Sequence, residues 1–382
     1  MELDLPDELV LLGRTVRDFV EERLRPIEQQ VEEEGRIPAA VITEMARLGY
    51  FGLPFPEEYG GVGAGDLGYC VALEQFGRAS AAFSNVIGAH TSIGSMSIFL
   101  GGTEDQKRRY LPELTAGRKI AAFSLTEPSS GSDAASIQTS ATKRGDSWIL
   151  NGTKIWVTNG PIADVVVVYA ANDRSKGARG GISAFIVEKG FPGFRVGRVD
   201  DKMGLRGSDT AELIFEECVV PEENVLGGTI GSGFKTALGA LDVGRVSLAA
   251  GAVGSSQYLL ELAIEHSRRR VQFGKPIAAN QAIQWMLADS AVEIHAARLM
   301  VYDAARKLDR GTRVSAEAAM VKVYASEMAN RVVDRVMQIF GGLAYMKGSP
   351  VERAYRDARI LRIYEGTSEV QRMVIAEGLL KD

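Results

Sequence analysis

Cysteine is nearly missing. Cys70 and Cys218 are the only two in 382 residues, and their wide separation excludes a disulfide framework and any cysteine-rich zinc or iron–sulfur site. Histidine is almost as scarce. His90, His266 and His295 are too scattered to suggest a metal cluster. A basic surplus is also lacking: 44 Lys and Arg stand against 49 Asp and Glu, for a net charge of −5. That balance gives no broad footprint for a nucleic-acid backbone. Met1 to Leu11 mixes acidic and apolar residues instead of placing a basic flank before an apolar run, so no secretory signal is read there. No uninterrupted apolar stretch of roughly 18 residues suggests a membrane span. A soluble cytoplasmic protein with no nucleic-acid or membrane partner is expected.

Several signatures of common chemistry are absent too. The glycine clusters at Gly60–Gly65 and Gly227–Gly233 lack the G-x-G-x-x-G spacing of a nicotinamide fold. Gly274-Lys275 is followed by Pro276, which removes the hydroxyl that a phosphate loop offers to magnesium. No G-x-S-x-G elbow supports a serine hydrolase.

What is present is a globular composition, 46% hydrophobic and 24% charged, long enough for two or three domains. From Leu5 to about Leu114 the apolar residues recur at helical spacing, as in Leu12, Val16, Phe19 and Val20. Thr103 and Gln106 have the spacing of a capping box. Between about Ala121 and Val225 the pattern changes to short β-rich runs: Ser147–Leu150, Thr153–Val157, Asp164–Ala170, Ile182–Val187 and Ala211–Val220. Asn151-Gly152, between two of them, reads as a hairpin turn. Helical spacing returns at Phe234–His266, Gln281–Leu308 and Ala316–Phe340. The expected architecture is therefore mainly α with a central β-domain. It comprises an N-terminal helical domain (1–120), a barrel-like or sandwich β-domain (121–230) and a C-terminal helical bundle (231–382).

Near the C-terminus, Ser349-Pro350-Val351-Glu352 has a cap, a proline at the first helical position and a Glu three residues on. Ser368-Glu369-Val370-Gln371 offers a second capping box. Between the two helices lies Tyr364-Glu365-Gly366-Thr367, a carboxylate beside a glycine and next to a helix N-terminus that could receive a phosphate. This is a plausible place for a catalytic base. On spacing alone it reads more readily as a helix–turn–helix corner with an exposed glutamate.

Five segments taken together carry more information. Phe123-Ser124-Leu125-Thr126-Glu127-Pro128-Ser129-Ser130-Gly131-Ser132-Asp133 and Lys154-Ile155-Trp156-Val157-Thr158-Asn159 resemble the flavin-contacting segments of the acyl-CoA dehydrogenase family. Arg270-Val271-Gln272-Phe273-Gly274-Lys275, Gln338-Ile339-Phe340-Gly341-Gly342 and Ile363-Tyr364-Glu365-Gly366-Thr367-Ser368 resemble its remaining signatures, in the family's order. The resemblance covers essentially the whole chain. It implies the same three-part fold, with a C-terminal four-helix domain.

The resemblance also implies FAD as cofactor and oxidation of an acyl-CoA to its trans-2-enoyl form. Glu365 matches the carboxylate that removes the α-proton while the β-hydrogen leaves as hydride to flavin N5. In the family that base's own amide and a flavin ribityl hydroxyl polarise the thioester carbonyl, and Gly366 would let the backbone approach. Some members carry the base one residue before an arginine on a C-terminal helix. Here that position is Gly244, before Arg245, and glycine cannot serve.

Further contacts follow from the same likeness. Phe123, Leu125, Thr126, Trp156 and Thr158 match flavin contacts, although Trp156 alone would more often be core. Ser132 matches a position touching both flavin phosphate and CoA. Asp242 and Arg245 match residues near the base and the pantetheine arm, and read equally as a helix-face ion pair. Arg270, Gln272, Phe273, Gln338 and Gly342 match segments reaching the FAD of a neighbouring subunit, which implies an oligomer; a homotetramer built as a dimer of dimers is expected, with a dimer as the alternative. Gln281, Thr367 and Glu369 match further cofactor contacts.

The helix from Ala81 to Phe99, which by analogy floors the acyl pocket, contains no Arg or Lys to pair with a second carboxylate. Glutaryl-type substrates are disfavoured, and the motif wording is closest to the short-chain, butyryl-type branch. Short- or medium-chain acyl-CoA is expected as substrate, with electron-transferring flavoprotein as acceptor. The alternatives are an oxygen-using acyl-CoA oxidase and a nucleic-acid-binding flavoprotein homologue. The latter branch carries a basic C-terminal extension, whereas this chain ends at Lys381-Asp382. Nitroalkane oxidation, which uses Asp at the base position in another branch, is disfavoured by Glu365.

Overall fold

The computed structural model describes residues 5–380. Met1 to Asp4 and the Lys381-Asp382 end lie outside the described residues. Helices α1 (Asp7–Phe19), α2 (Glu28–Glu34), α3 (Ala39–Arg47), α4 (Gly65–Phe76), α5 (Ala81–Gly88), α6 (Met96–Gly101) and α7 (Glu104–Thr115) make up the first part. A π-helical segment, Ala89–Ser95, joins α5 to α6. The cap predicted before α7 is present: Thr103 Oγ1 accepts from the Gln106 amide and Gln106 Oε1 accepts from the Thr103 amide.

Strands β1 (Ala121–Ser124), β2 (Ser140–Arg144), β3 (Ser147–Thr158), β4 (Val165–Ala171), β5 (Ile182–Glu188), β6 (Phe194–Val199) and β7 (Thr210–Pro221) form one mixed sheet, with a short turn of helix, α8 (Ala178–Gly181), before β5. β4 is buried on both faces. Val165, Val167 and Tyr169 pack on one side, Val166, Val168 and Ala170 on the other, which is why its sequence is an unbroken apolar run.

The expected hairpin at Asn151-Gly152 does not form. β3 runs straight through it, with a bulge against β7 between Leu150 and Gly152. Tertiary bonds outweigh the local turn preference there: Asn151 Oδ1 accepts from the Glu217 amide at 2.8 Å, and Asn151 Nδ2 donates to the Glu217 carboxylate at 2.8 Å. The chain reverses instead at Gly145-Asp146, where Arg144 pairs with Ser147 across the turn and Gly145 takes a φ of +63°.

The last part holds α9 (Gly233–Arg269), a small hairpin of β8 (Val271–Gln272) and β9 (Lys275–Pro276), α10 (Gln281–Asp309), α11 (Ser315–Phe340), α12 (Gly342–Tyr345), α13 (Pro350–Ala358) and α14 (Ser368–Leu380). The three long helices follow the predicted spans closely. α9 packs on α4, α10 and α11, and α11 also packs on α14, so one apolar core joins the first and last parts of the chain. α9 is the one described helix long and apolar enough to cross a membrane by length and composition. About two-thirds of that stretch (67%) is buried by neighbouring elements, as expected of the central helix of a bundle.

Candidate active site

The α13–α14 break starts where a short 3-10 turn, Arg359–Arg362, ends α13. Ser349 caps α13 by accepting from the Val351 amide at 3.3 Å, but Glu352 does not close the predicted box, because it pairs with Arg356 one turn on. The second cap differs by one residue from expectation. Thr367 Oγ1 accepts from the Val370 amide at 3.2 Å, while the Ser368 hydroxyl is buried without a partner. Gln371 is drawn away from a capping role by two carbonyls that need donors. Its Nε2 lies 2.9 Å from the Glu365 oxygen and 3.3 Å from that of Gly366.

Those carbonyls are exposed to such donors because the turn is sharply left-handed, with φ of +54° at Glu365 and +90° at Gly366. A glycine adopts this readily, whereas a glutamate must be held there. Arg245 Nε on α9 donates to the Glu365 carbonyl at 3.2 Å, and Lys322 Nζ on α11 donates to that of Gly366 at 2.6 Å. Arg245 also pairs with Asp242 at 2.8 Å, whose other oxygen accepts from Ser315 Oγ at 2.5 Å. The helix-face ion pair and the site contact are thus one network.

The Glu365 side chain projects into a cavity of about 1830 Å³. Its Oε2 is buried and accepts no hydrogen bond. Burial pushes the carboxyl up to about 7, against the opposing pull of Arg245 and Lys322. Gly244 explains how the carboxylate fits: a Cβ there would stand 2.6 Å from Glu365 Oε2 and 2.8 Å from Ile93. A side chain at position 244 and the Glu365 carboxylate would therefore claim the same space.

Other walls of the cavity come from β1, β3 and the loop after β1. Phe123, Leu125, Thr126, Ser132, Trp156 and Thr158 line it, together with Asp242, Arg245, Gly366 and Thr367. The loop is tied to β3 by the Ile155 amide, which donates to Thr126 O at 3.0 Å, and by a buried Lys154 that donates to Leu125 O and the Glu127 carboxylate, each at 2.8 Å. Trp156 is not core: it is 64% exposed, with a φ of +56°. Ser84, Gly88, Ser92, Ser247 and Gly251 line a further stretch between the α5 region and α9. No arginine or lysine comes from the helical stretch 81–99, as the sequence indicated. The cavity is roughly twice the size usual for one small ligand, and its aromatic, hydroxyl-bearing wall fits a flavin beside a thioester.

The remaining predicted residues lie elsewhere. Arg270, Gln272, Phe273, Gln281, Gln338, Gly342 and Glu369 are exposed and do not line the cavity. The stacked rings of His266 and Phe340, 4.1 Å apart, bring the end of α9 beside the end of α11, so most of these residues share one end of the bundle. Phe273 stands wholly exposed at the hairpin tip. Sequence reasoning missed Lys322 and Gln371. The signal for Lys322 was its register, a lysine in the buried α11 stripe with Ala318, Val321 and Ala325.

Comparison with known proteins agrees with this geometry. Models of the N-terminal, middle and C-terminal domains of acyl-CoA dehydrogenase match residues 6–118, 122–218 and 231–380. An acyl-CoA dehydrogenase of Bacillus subtilis is 45% identical, over 99% of each chain. A short-chain-specific acyl-CoA dehydrogenase of Clostridium acetobutylicum is 43% identical over 100% of each. The solved butyryl-CoA dehydrogenase of Megasphaera elsdenii superposes with a TM-score of 0.96 at 43% identity, again over 100% of each chain. With its layered helix–sheet–helix fold and its cavity-facing glutamate, this chain is an oxidoreductase that belongs to the acyl-CoA dehydrogenase family, whose members are flavoproteins.

Proposed function

We propose that this protein dehydrogenates short- or medium-chain acyl-CoA thioesters to trans-2-enoyl-CoA, with Glu365 as the base. The observation that carries the reading is the Glu365 carboxylate, whose buried Oε2 has no partner and whose proton is held up to about pH 7. An oxygen already accepting hydrogen bonds from protein would be a poor base; this one is uncommitted, on a side chain that lines the cavity.

The α-proton of a thioester is weakly acidic, so its removal needs a donor at the carbonyl oxygen and a site without bulk water. The Glu365 amide donates to no protein acceptor among the described residues, which leaves it available to the substrate carbonyl. Arg245, Gln371 and Lys322 occupy the carbonyls of the same turn and so fix the direction of its amides. Thr126, Trp156 and Thr158, with Phe123, Leu125 and Ser132, would hold FAD, which when bound supplies the acceptor for the β-hydrogen. Asp242 and Ser132 would meet the CoA arm, and the acyl chain would lie between α5 and α9 along Gly88, Ser92 and Gly251.

Exposure of Arg270, Gln272, Phe273, Gln281, Gln338 and Gly342 outside the cavity supports a role toward the FAD of a neighbouring subunit in a homotetramer. Electron-transferring flavoprotein is the proposed acceptor. The test is anaerobic mixing of the holoenzyme with butyryl-CoA through octanoyl-CoA. Flavin bleaching is expected, with a rate that rises with pH through about 7 as Glu365 loses its proton. A flavin that stays oxidised with every thioester would overturn the reading.

A further inference from the structure

Lys322 is fully buried, and among the described residues its ammonium makes one hydrogen bond and no ion pair. A charge in such a place is costly unless it is matched. The packing of α11 alone does not require it, because an apolar side chain of similar length would fill the same register as Val321 and Ala325. The one bond runs to the Gly366 carbonyl at 2.6 Å, one residue from Glu365.

Three helices thus converge on two consecutive carbonyls, α9 through Arg245, α14 through Gln371 and α11 through Lys322. Two of the three donors are cations. Arg245 is already paired with Asp242, although it still acts on the Glu365 carboxylate. Lys322 has no such counter-ion.

Resting on the reading above, we propose that Lys322 is a positioning residue for the base: its ammonium fixes the Glu365–Gly366 turn and supplies the uncompensated positive charge beside the Glu365 carboxylate. The electrostatic surroundings agree. Burial raises the Glu365 carboxyl, while Arg245 from α9 and, after it, Lys322 pull it downward. Tyr69 from α4 and Tyr364 in the break also face Glu365, and burial raises both phenols, so they stay neutral. Glu327 on α11 and Glu369 on α14 reach the ammonium only as weaker influences than Glu365. Burial lowers Lys322 itself to about 8, with Glu365 opposing, so it is charged where Glu365 begins to ionise.

Two variants separate anchor from charge. Lys322→Gln keeps a donor for the Gly366 carbonyl and removes the charge. Its acid limb of flavin reduction should move up by about one pH unit, roughly a tenfold loss below pH 7, with a near-normal rate once Glu365 is ionised. Lys322→Met removes both, and should show the same displacement plus a lower plateau. Lys322→Arg should restore the wild-type limb. Should Lys322→Met fail to fold, the Gln and Arg variants decide the matter by themselves. A limb unmoved in Lys322→Gln, or a loss equal at every pH, would overturn the proposal. If wild-type holoenzyme bleaches with butyryl-CoA while the variant limb does not move, only this inference fails; if wild type does not bleach, the assignment of Glu365 as base fails first.

Discussion

Two glutamates in this molecule sit near buried lysines, and their fates are opposite. Glu127, in the loop after β1, accepts from Lys154 Nζ at 2.8 Å, from the Thr139 amide at 2.9 Å and from the Gln138 amide. Burial pushes its pKa upward, but Lys154 and those donors outweigh burial and leave it below the usual carboxylate range. Glu365 is near Lys322, yet that lysine bonds the backbone of the turn and leaves the carboxylate alone. Burial then prevails and the pKa rises to about 7. A carboxylate saturated with donors is a strut, whereas one denied them keeps its affinity for a proton. The placement of donors, more than the presence of a cation, separates structural from chemical use.

The largest effect should come from Glu365→Gln, which keeps shape and removes basicity. Flavin reduction by acyl-CoA should fall by about a hundredfold to ten-thousandfold, the range a general base contributes, while FAD and acyl-CoA still bind. The contrast has a second side. The folded protein holds the Glu365 proton up to about pH 7, whereas an unfolded chain releases it near the ordinary glutamate value of 4.5. Stability therefore declines as pH rises between those values. A glutamine cannot ionise, so the variant should melt higher than wild type at pH 8 and show no such decline. Glu127 has the reverse sign: its depressed pKa contributes stability above the unfolded value, which is lost as pH falls through the folded one.

Next in size is Lys154→Met. It leaves the almost wholly buried Glu127 carboxylate without its cation, and the cost should be about 3–5 kcal/mol in denaturant unfolding, as for other broken buried pairs. Adding Glu127→Gln to that variant should recover part of the loss, because the stranded charge is gone. If the single variant proves as stable as wild type, the strut half of the comparison is wrong.

Much of this layout was legible in the sequence because its signals were periodic. The long helices α9, α10 and α11 announce themselves by apolar spacing, and β4 by its run of valines. Readings failed where a distant partner decided the outcome. Asn151-Gly152 has the composition of a hairpin, but Glu217, 66 residues away, holds it within a strand. Ser368 looks like a helix cap, but Thr367 takes that role and Gln371 turns back to the Glu365 carbonyl. Glu365 itself was singled out by family likeness; spacing favoured an exposed corner glutamate. What sets it apart, an unpartnered oxygen beside Gly244 and burial that outweighs two cations on other helices, exists only once the chain has folded.

Gly244→Ala sharpens the Glu365 half alone. The added methyl would fall 2.6 Å from Oε2, so the carboxylate must swing aside and flavin reduction should drop roughly tenfold, within the range expected for a misplaced catalytic group. Alanine is the better helix former by about 1 kcal/mol, which offsets part of the crowding against Ile93 at 2.8 Å, so the melting temperature should change little. A combined loss of rate and of stability would mean that the clash is relieved by the α9 backbone and not by the base.

The smallest expected effect tests whether the turn's last residue serves the helix or the ligand. Thr367 Oγ1 accepts from the Val370 amide at 3.2 Å and the residue also lines the cavity. As a cap alone, Thr367→Ala should cost about 1 kcal/mol of stability and leave FAD retention on dilution unchanged. As a cofactor contact as well, it should add faster loss of FAD, with the hydroxyl hydrogen turning from the Glu369 carboxylate to the ligand while its lone pair caps α14. Serine at this position keeps the oxygen and should restore both properties. The Glu365 acid limb should stay at about pH 7 in either variant, because the hydroxyl is uncharged and the Glu365 and Gly366 carbonyls remain held by Arg245, Gln371 and Lys322. A displaced limb in Thr367→Ala would show that the cap helps to hold the turn, and that positioning of the base is shared more widely than the three converging donors.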